Sequence, residues 1–155
     1  MNIKEFLTKR HVRFEVLPHE HSYGASRLAQ AVHAHGREVA KTVLLHANHG
    51  FTDVVAVVPS NCHVNLERAR ELLGGAELNL ANEEDIRAHC PDCEVGVLPP
   101  FGSQYGMRTM MDESLAKGEE IVFESNTHNE AIRMRTADFF HAETPLVGAF
   151  AEANP

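Results

Sequence analysis

The chain has 155 residues, 43% of them hydrophobic, which suits one domain spanning residues 1–155 with an adequate core. Lys and Arg total 14 against 22 Asp and Glu, a net charge of −8, which excludes a general electrostatic footprint for coating a nucleic-acid backbone but leaves room for a local basic patch that grips an RNA end. Apolar runs fall far short of the ~20 residues that span a bilayer, and Lys4, Lys9, Arg10 and Arg13 are too interspersed for a secretory signal, so a soluble cytoplasmic protein with no membrane partner is expected.

Asn2–His11 predicts a short helix, with Ile3, Phe6 and Leu7 on one apolar stripe. Residues 13–17 alternate as a strand before Pro18 and a His-rich loop, and Ser26–His35 predicts a second helix ending near Gly36. Ala40–Leu45 and Thr52–Val58 are strong strands joined by the turn-rich Ala47-Asn48-His49-Gly50, a hairpin signal. Asn65–Leu73 has helical spacing and ends at Gly74-Gly75; a short strand at Glu77–Leu80 leads into a helix near Ala81–Arg87, where Asn82 precedes Asp85 as a cap. Strands follow at Arg108–Met111, Glu120–Glu124 and Ala131–Arg135, with single helical turns at Asp112–Leu115 and Thr136–Phe140. The tail from Glu143 reads as irregular. Strands outnumber long helices and several are linked as hairpins, which favours an α/β fold with a mixed, mostly antiparallel sheet.

The three cysteines, Cys62, Cys90 and Cys93, are an odd set without secreted-scaffold spacing, which points to a reducing compartment. His89-Cys90-Pro91-Asp92-Cys93 has the ingredients of a redox pair or of part of a zinc site, but four spaced ligands are missing, so a turn carrying ordinary thiols is the expectation, with no metal. The other histidines fall mostly in loops and on helix surfaces and read as solvent-facing. Basic residues available for an RNA end are Arg27, Arg37, Lys41, Arg68, Arg70, Arg108, Arg133 and Arg135.

No GxSxG elbow, HExxH helix or P-loop is present. Three features remain. Gly96-Val97-Leu98-Pro99-Pro100-Phe101-Gly102 spends two glycines and two prolines on seven residues, which fixes a backbone wall. Lys41 sits in an apolar strand, either aimed at a ligand or snorkelling to water. Asn126-Thr127-His128-Asn129 lies between two strands, either as a polar site or as a side-chain-capped turn.

In order and spacing these segments, with Met111-Asp112-Glu113-Ser114-Leu115, resemble the YbaK/ProRS-type editing-domain family, free-standing relatives of the insertion (INS-like) domain of bacterial prolyl-tRNA synthetase, over about Tyr23–Phe140. The resemblance implies a compact domain around a curved, largely antiparallel sheet, and hydrolysis in trans of the ester joining a wrong small amino acid to the terminal ribose of tRNA, a double-sieve task. It implies no cofactor, the aminoacyl-tRNA acceptor end as partner, an aminoacyl-tRNA synthetase as a further partner left open, and no DNA. By the same resemblance Lys41 faces the phosphate of the terminal nucleotide, and Gly96 leaves the approach clear. The backbone of Gly96, Val97, Leu98, Pro99 and Pro100 holds the ester or water, with Phe101 and Gly102 completing the loop and Gly102 permitting its return. His128 orients the substrate or lines the amino-acid pocket beside Asn126 and Thr127. Asn126 replaces a glycine common in close relatives, and asparagine tolerates left-handed backbone. The alternatives to a tRNA deacylase are a catalytically silent tRNA- or protein-binding module on the same fold and an esterase for another small acyl group.

Overall fold

A computed structural model describes residues 2–19, 38–47, 53–94 and 97–155. The helix expected over residues 26–35 and the link at 48–50 lie outside the described residues, as do Arg27, Arg37 and Gly96. The described elements are α1 (Ile3–Lys9), β1 (Phe14–Pro18), β2 (Ala40–Ala47), β3 (Val54–Pro59), β4 (Cys62–Val64), α2 (Leu66–Leu72), β5 (Leu78–Leu80), α3 (Glu83–His89), a 3₁₀ turn (Gly102–Tyr105), β6 (Arg108–Asp112), α4 (Glu113–Ala116), β7 (Glu120–Glu124), β8 (Glu130–Arg135), α5 (Thr136–Glu143), β9 (Leu146–Gly148) and β10 (Ala151–Ala153).

Local chemistry explains the helix starts. Asn2, Asn65 and Asn82 each accept a backbone N–H three residues on, and Asn82 with Asp85 closes a reciprocal capping box. α1 turns Ile3, Phe6 and Leu7 inward, as its apolar stripe requires.

β3 is the centre of the molecule. All six of its residues are buried, the signature of a strand covered on both faces. Val55 and Val57 join Phe6, Leu98, Phe101, Met111, Phe123 and Phe139 in one core; Val54, Ala56 and Val58 join Leu45, Leu78, Met110 and Phe150 in the other. The five-stranded sheet runs β5-β2-β3-β6-β9, parallel at β3–β6 and β6–β9 and antiparallel elsewhere. A second, antiparallel sheet runs β1-β8-β7, and β10 pairs with β4. The architecture is therefore the expected α/β fold with a mixed sheet and surrounding helices. The two larger sheets meet at a parallel bridge, Val39 to Val122, backed by the Val122 N–H donating to the Glu38 carbonyl at 2.9 Å.

The tail is not irregular, as its composition suggested. β9 extends the main sheet, β10 caps β4, and Phe150 between them is fully buried. Its order comes from a distant partner: Asp112 Oδ1 accepts the N–H groups of Phe150 at 3.0 Å and Ala151 at 2.8 Å, while Oδ2 caps α4 through Ser114. A short Gly/Ala-rich segment with one phenylalanine carries no periodicity that reveals this.

Burial works to raise the Asp112 pKa, but the Ser114 hydroxyl and the backbone donors outweigh it and hold the carboxyl below its ordinary 3.8. Its contribution to stability is therefore present above the unfolded-state value and is lost as pH falls below 3.8 through the lower folded value. Asp112→Ala is expected to cost roughly 1–3 kcal/mol in urea unfolding at pH 7, because two inward backbone donors lose their acceptor. The deficit should shrink below pH 3.8, with β10 amides exchanging first.

Candidate functional site

The glycine-proline loop is built from buried residues. Val97, Leu98 and Phe101 are 1%, 6% and 0% exposed, and Pro99, Pro100 and Gly102 are buried with them. The Phe101 ring packs 5.4 Å from Phe6, 5.6 Å from Phe123 and 5.2 Å from Phe139, so its side chain belongs to the core and only its backbone is left for a ligand. The Phe101 N–H donates to the Pro99 carbonyl at 2.8 Å, which tightens the wall further.

Behind the loop stands a buried carboxylate. Glu143, 6% exposed, accepts from the Thr109 hydroxyl at 3.0 Å, the Ser103 N–H at 3.2 Å and the Ser103 hydroxyl; Thr109 Oγ1 in turn accepts the Gly102 N–H at 2.8 Å. Burial pushes the Glu143 pKa up, against these hydrogen bonds. Gly102 is required here for space: a Cβ would meet Thr109 Oγ1 at 2.7 Å, the Arg108 carbonyl at 3.0 Å and Val55 Cγ2 at 3.1 Å.

Lys41 lies on β2 opposite Val58, half-buried, and its ammonium donates to the Cys62 carbonyl at 2.6 Å. Desolvation lowers its pKa, while the Cys62 thiol opposes the shift; the Cys62 pKa is raised first by burial, then by the Asp112 charge, against Lys41. The lysine is thus a positioned cation and not a side chain trailing freely into water. From the Val39–Val122 bridge, Lys41 is two residues along β2 and Glu124 two residues along β7 in the same direction.

At the end of β7, Glu124 Oε2 lies 3.4 Å from Nδ1 of the buried His128, and the His128 N–H donates to Glu94 Oε2 at 3.1 Å. Asn126 differs from the expectation drawn from its residue type. Among the described residues, His11 and Thr144 are the non-glycines with positive φ, so Asn126 is not in left-handed backbone. Its side chain is a clamp: Oδ1 accepts the Ile3 N–H at 2.9 Å, Nδ2 lies 3.5 Å from Cys93 Sγ, and its carbonyl accepts the Glu94 N–H at 2.9 Å. Thr127 Oγ1 accepts the Asn129 N–H at 3.3 Å, so the turn is capped by its own side chain as well as polar.

The structure thus buries the loop from Val97 to Gly102, places Lys41 on β2 and His128 in the turn that follows β7, a strand bridged to the start of β2, and gives Asn126 a supporting role. Sequence reasoning assigned no role to Glu143, Thr109, Glu94 or Glu124. None belongs to a spaced motif; Glu143 was set aside with the tail.

The cysteines correct a further expectation. Cys90 and Cys93 form a disulfide, so the turn does not carry two ordinary thiols. Cys90 ends α3 with its N–H on the Ile86 carbonyl, and the Pro91 turn brings the Cys93 N–H onto the Cys90 carbonyl at 3.2 Å, which sets the two Cα atoms 5.5 Å apart. Cys90, Asp92 and Cys93 form the one metal-compatible group among the described residues, and bonded sulfurs cannot act as a thiolate pair. Nearby, His46, which is exposed as expected, and His89, which is partly buried, both contact Asp53, at 3.0 and 2.9 Å. Among the described residues no helix is long and apolar enough to cross a membrane.

The sequence matches the aminoacyl-tRNA editing domain family over residues 19–142. No curated protein sequence matches it. Among solved structures, the chain superposes on the hypothetical protein APE2540 with a TM-score of 0.86 at 18% identity, covering 97% of this chain and 99% of the other. A candidate trans-editing enzyme for prolyl tRNA synthetase gives 0.80 at 21% identity, covering 97% and 95%. A candidate signal transduction protein from Marinobacter aquaeolei VT8 gives 0.70 at 18% identity, covering 96% of this chain but 30% of that larger one. At these identities the likeness is one of fold.

The two crowded glycines separate by what surrounds them. Gly102→Ala should cost roughly 1–3 kcal/mol, because Thr109 is held by Glu143 and the Arg108 carbonyl is backbone. Gly148→Ala should cost less, since the atoms nearest its Cβ would belong to the Leu72 side chain, which can rotate away, rather than to backbone. Thermal unfolding of the two variants checks the order.

Proposed function

The chain belongs to the aminoacyl-tRNA editing domain family, and from that premise we propose that it is a trans-acting deacylase, hydrolysing the ester that joins a wrong small amino acid to the terminal ribose of a tRNA. The observation that carries this reading is the positioned Lys41 ammonium, held by the Cys62 carbonyl at 2.6 Å in a protein whose net charge is −8. An acidic protein that binds RNA needs its cations placed locally, and end-on recognition through one phosphate and ribose needs few of them.

In this mechanism Lys41 takes the phosphate of the terminal nucleotide and fixes the ester against the backbone of Gly96 to Pro100. Water held by the loop backbone attacks the ester carbonyl, and as the ribose oxygen leaves it takes up a proton that the water gives up, so the products are the free amino acid and the ribose hydroxyl. His128, with Glu124 at 3.4 Å, orients the amino-acid end, and Asn126 and Thr127 shape the turn around it. A small pocket rejects the larger correct residue by size, as a second sieve. The partner is the acceptor end of an aminoacyl-tRNA in the cytoplasm; the fold neighbour described as a trans-editing enzyme for prolyl tRNA synthetase supports a synthetase as the source of the wrong product.

Hydrolysis of tRNA charged separately with alanine, serine, cysteine and proline tests the reading. Selective loss of one wrong acyl group is expected, with Lys41→Ala slower on the order of 10²-fold. The folding cost of that change should stay at about 1 kcal/mol, the value of a single hydrogen bond. Because burial lowers the Lys41 pKa from 10.5, the enzyme-dependent rate should fall on the alkaline side before an ordinary lysine would lose its proton. Binding of charged tRNA without turnover would move the protein to the silent-module reading, and equal turnover of a free aminoacyl ester to a general esterase.

A further inference from the structure

The Cys90–Cys93 bridge is placed where a switch would do more than a staple. It joins residues three positions apart, so it removes less chain entropy than a long-range bridge would. Cys93, however, directly precedes Glu94, and Glu94 holds the candidate turn twice: its N–H donates to the Asn126 carbonyl at 2.9 Å and its carboxylate accepts the His128 N–H at 3.1 Å. The Asn126 amide also reaches Cys93 Sγ at 3.5 Å, and the Glu94 carbonyl accepts the Val97 N–H at 3.0 Å at the start of the proline wall. One disulfide sulfur is therefore joined, through one residue, to both walls of the candidate site.

The surroundings accommodate both redox states. Cys90 is 1% exposed, with the Tyr105 hydroxyl 3.1 Å and the Asp92 carboxylate 3.3 Å from its sulfur. A reduced Cys90 thiol has Asp92 ready as acceptor and Tyr105 as donor. Burial, with the Asp92 charge, pushes the Tyr105 pKa far up, so its hydroxyl keeps its proton. Cys93 is only partly buried and is the sulfur open to attack.

We propose that Cys90 and Cys93 are a reversible thiol–disulfide couple, reduced by small-molecule thiols of the glutathione class, whose bridge locks Glu94 onto the 126–128 turn and so regulates the candidate site. The regulatory half rests on the deacylase reading; the couple itself does not. A thiolate attacks Cys93 Sγ and Cys90 leaves as thiolate, which takes up a proton; a second thiol then displaces the mixed disulfide, giving the Cys93 thiol and the oxidised small-molecule disulfide. Two electrons and two protons pass to the protein for two thiols oxidised. Reduction frees the backbone at Cys93, and the hold on Asn126 and His128 loosens.

The test titrates the full chain with mixtures of reduced and oxidised glutathione or dithiothreitol, counts alkylated thiols by mass, and follows amide exchange. The oxidised form should label once, at Cys62, and the reduced form three times, reversibly. Reduction should speed exchange at Glu94 and His128 about tenfold, and the double variant Cys90→Ser, Cys93→Ser should match the reduced form in every buffer. Three labels under all oxidising conditions would overturn the couple, and unchanged exchange at Glu94 and His128 would overturn the lock. Deacylation of the preferred charged tRNA should fall about tenfold on reduction. Equal rates in both states would overturn the regulation. No deacylation in either state, with labels and exchange still switching, would remove the deacylase reading and leave the switch supported.

Discussion

The shape of the candidate site depends on one buried carboxylate. Glu143 reaches from the last turn of α5 to gather the Ser103 N–H, the Ser103 hydroxyl and the Thr109 hydroxyl, and Thr109 passes the hold on to the Gly102 N–H. A carboxylate buried to this degree is tolerated only when hydrogen bonds replace its water. Here the replacement donors come from the end of the proline loop and the strand after it. The loop is thus pinned at its return to the helix that closes the family-matched segment, while Phe101 sinks its ring among Phe6, Phe123 and Phe139. Prolines set the local shape of the wall, and Glu143 sets where it stands.

A second carboxylate does the same work on the other side of the sheet. Asp112 ends β6, caps α4 and gathers the Phe150 and Ala151 N–H groups, which orders the tail over β4. β4 in turn presents the Cys62 carbonyl that holds Lys41. The position of the cation on which the proposed chemistry relies is therefore coupled, through the tail, to a carboxyl at the end of β6, two strands away across β3.

Much of the fold was legible in order along the chain. Asn82 and Asp85 announce their helix, the apolar run at Val54–Val58 announces a strand, and Gly74-Gly75 ends α2 with both residues at positive φ. Of the site, the glycine-proline loop, the strand lysine and the polar turn stood out by composition. Asn126 was misread because residue type suggests backbone tolerance, whereas the residue uses its side chain, accepting from Ile3 123 positions away. The Cys90–Cys93 bond was misread because an odd cysteine count suggests free thiols; pairing depends on the turn that Pro91 makes after α3.

The sequence by itself determined most of the elements before the tail, the family and the residue types the site has to work with, because capping, apolar period and proline constraint act within a few residues of one another. The tertiary structure alone decided that Gly102 is needed for space, that Glu143 and Asp112 are anchors, that the tail is ordered, and that Glu94 joins a disulfide to the turn around His128. Each of these is a contact between segments far apart in the chain, and the free energy of such a contact depends on burial and geometry that exist only once the sheets have closed.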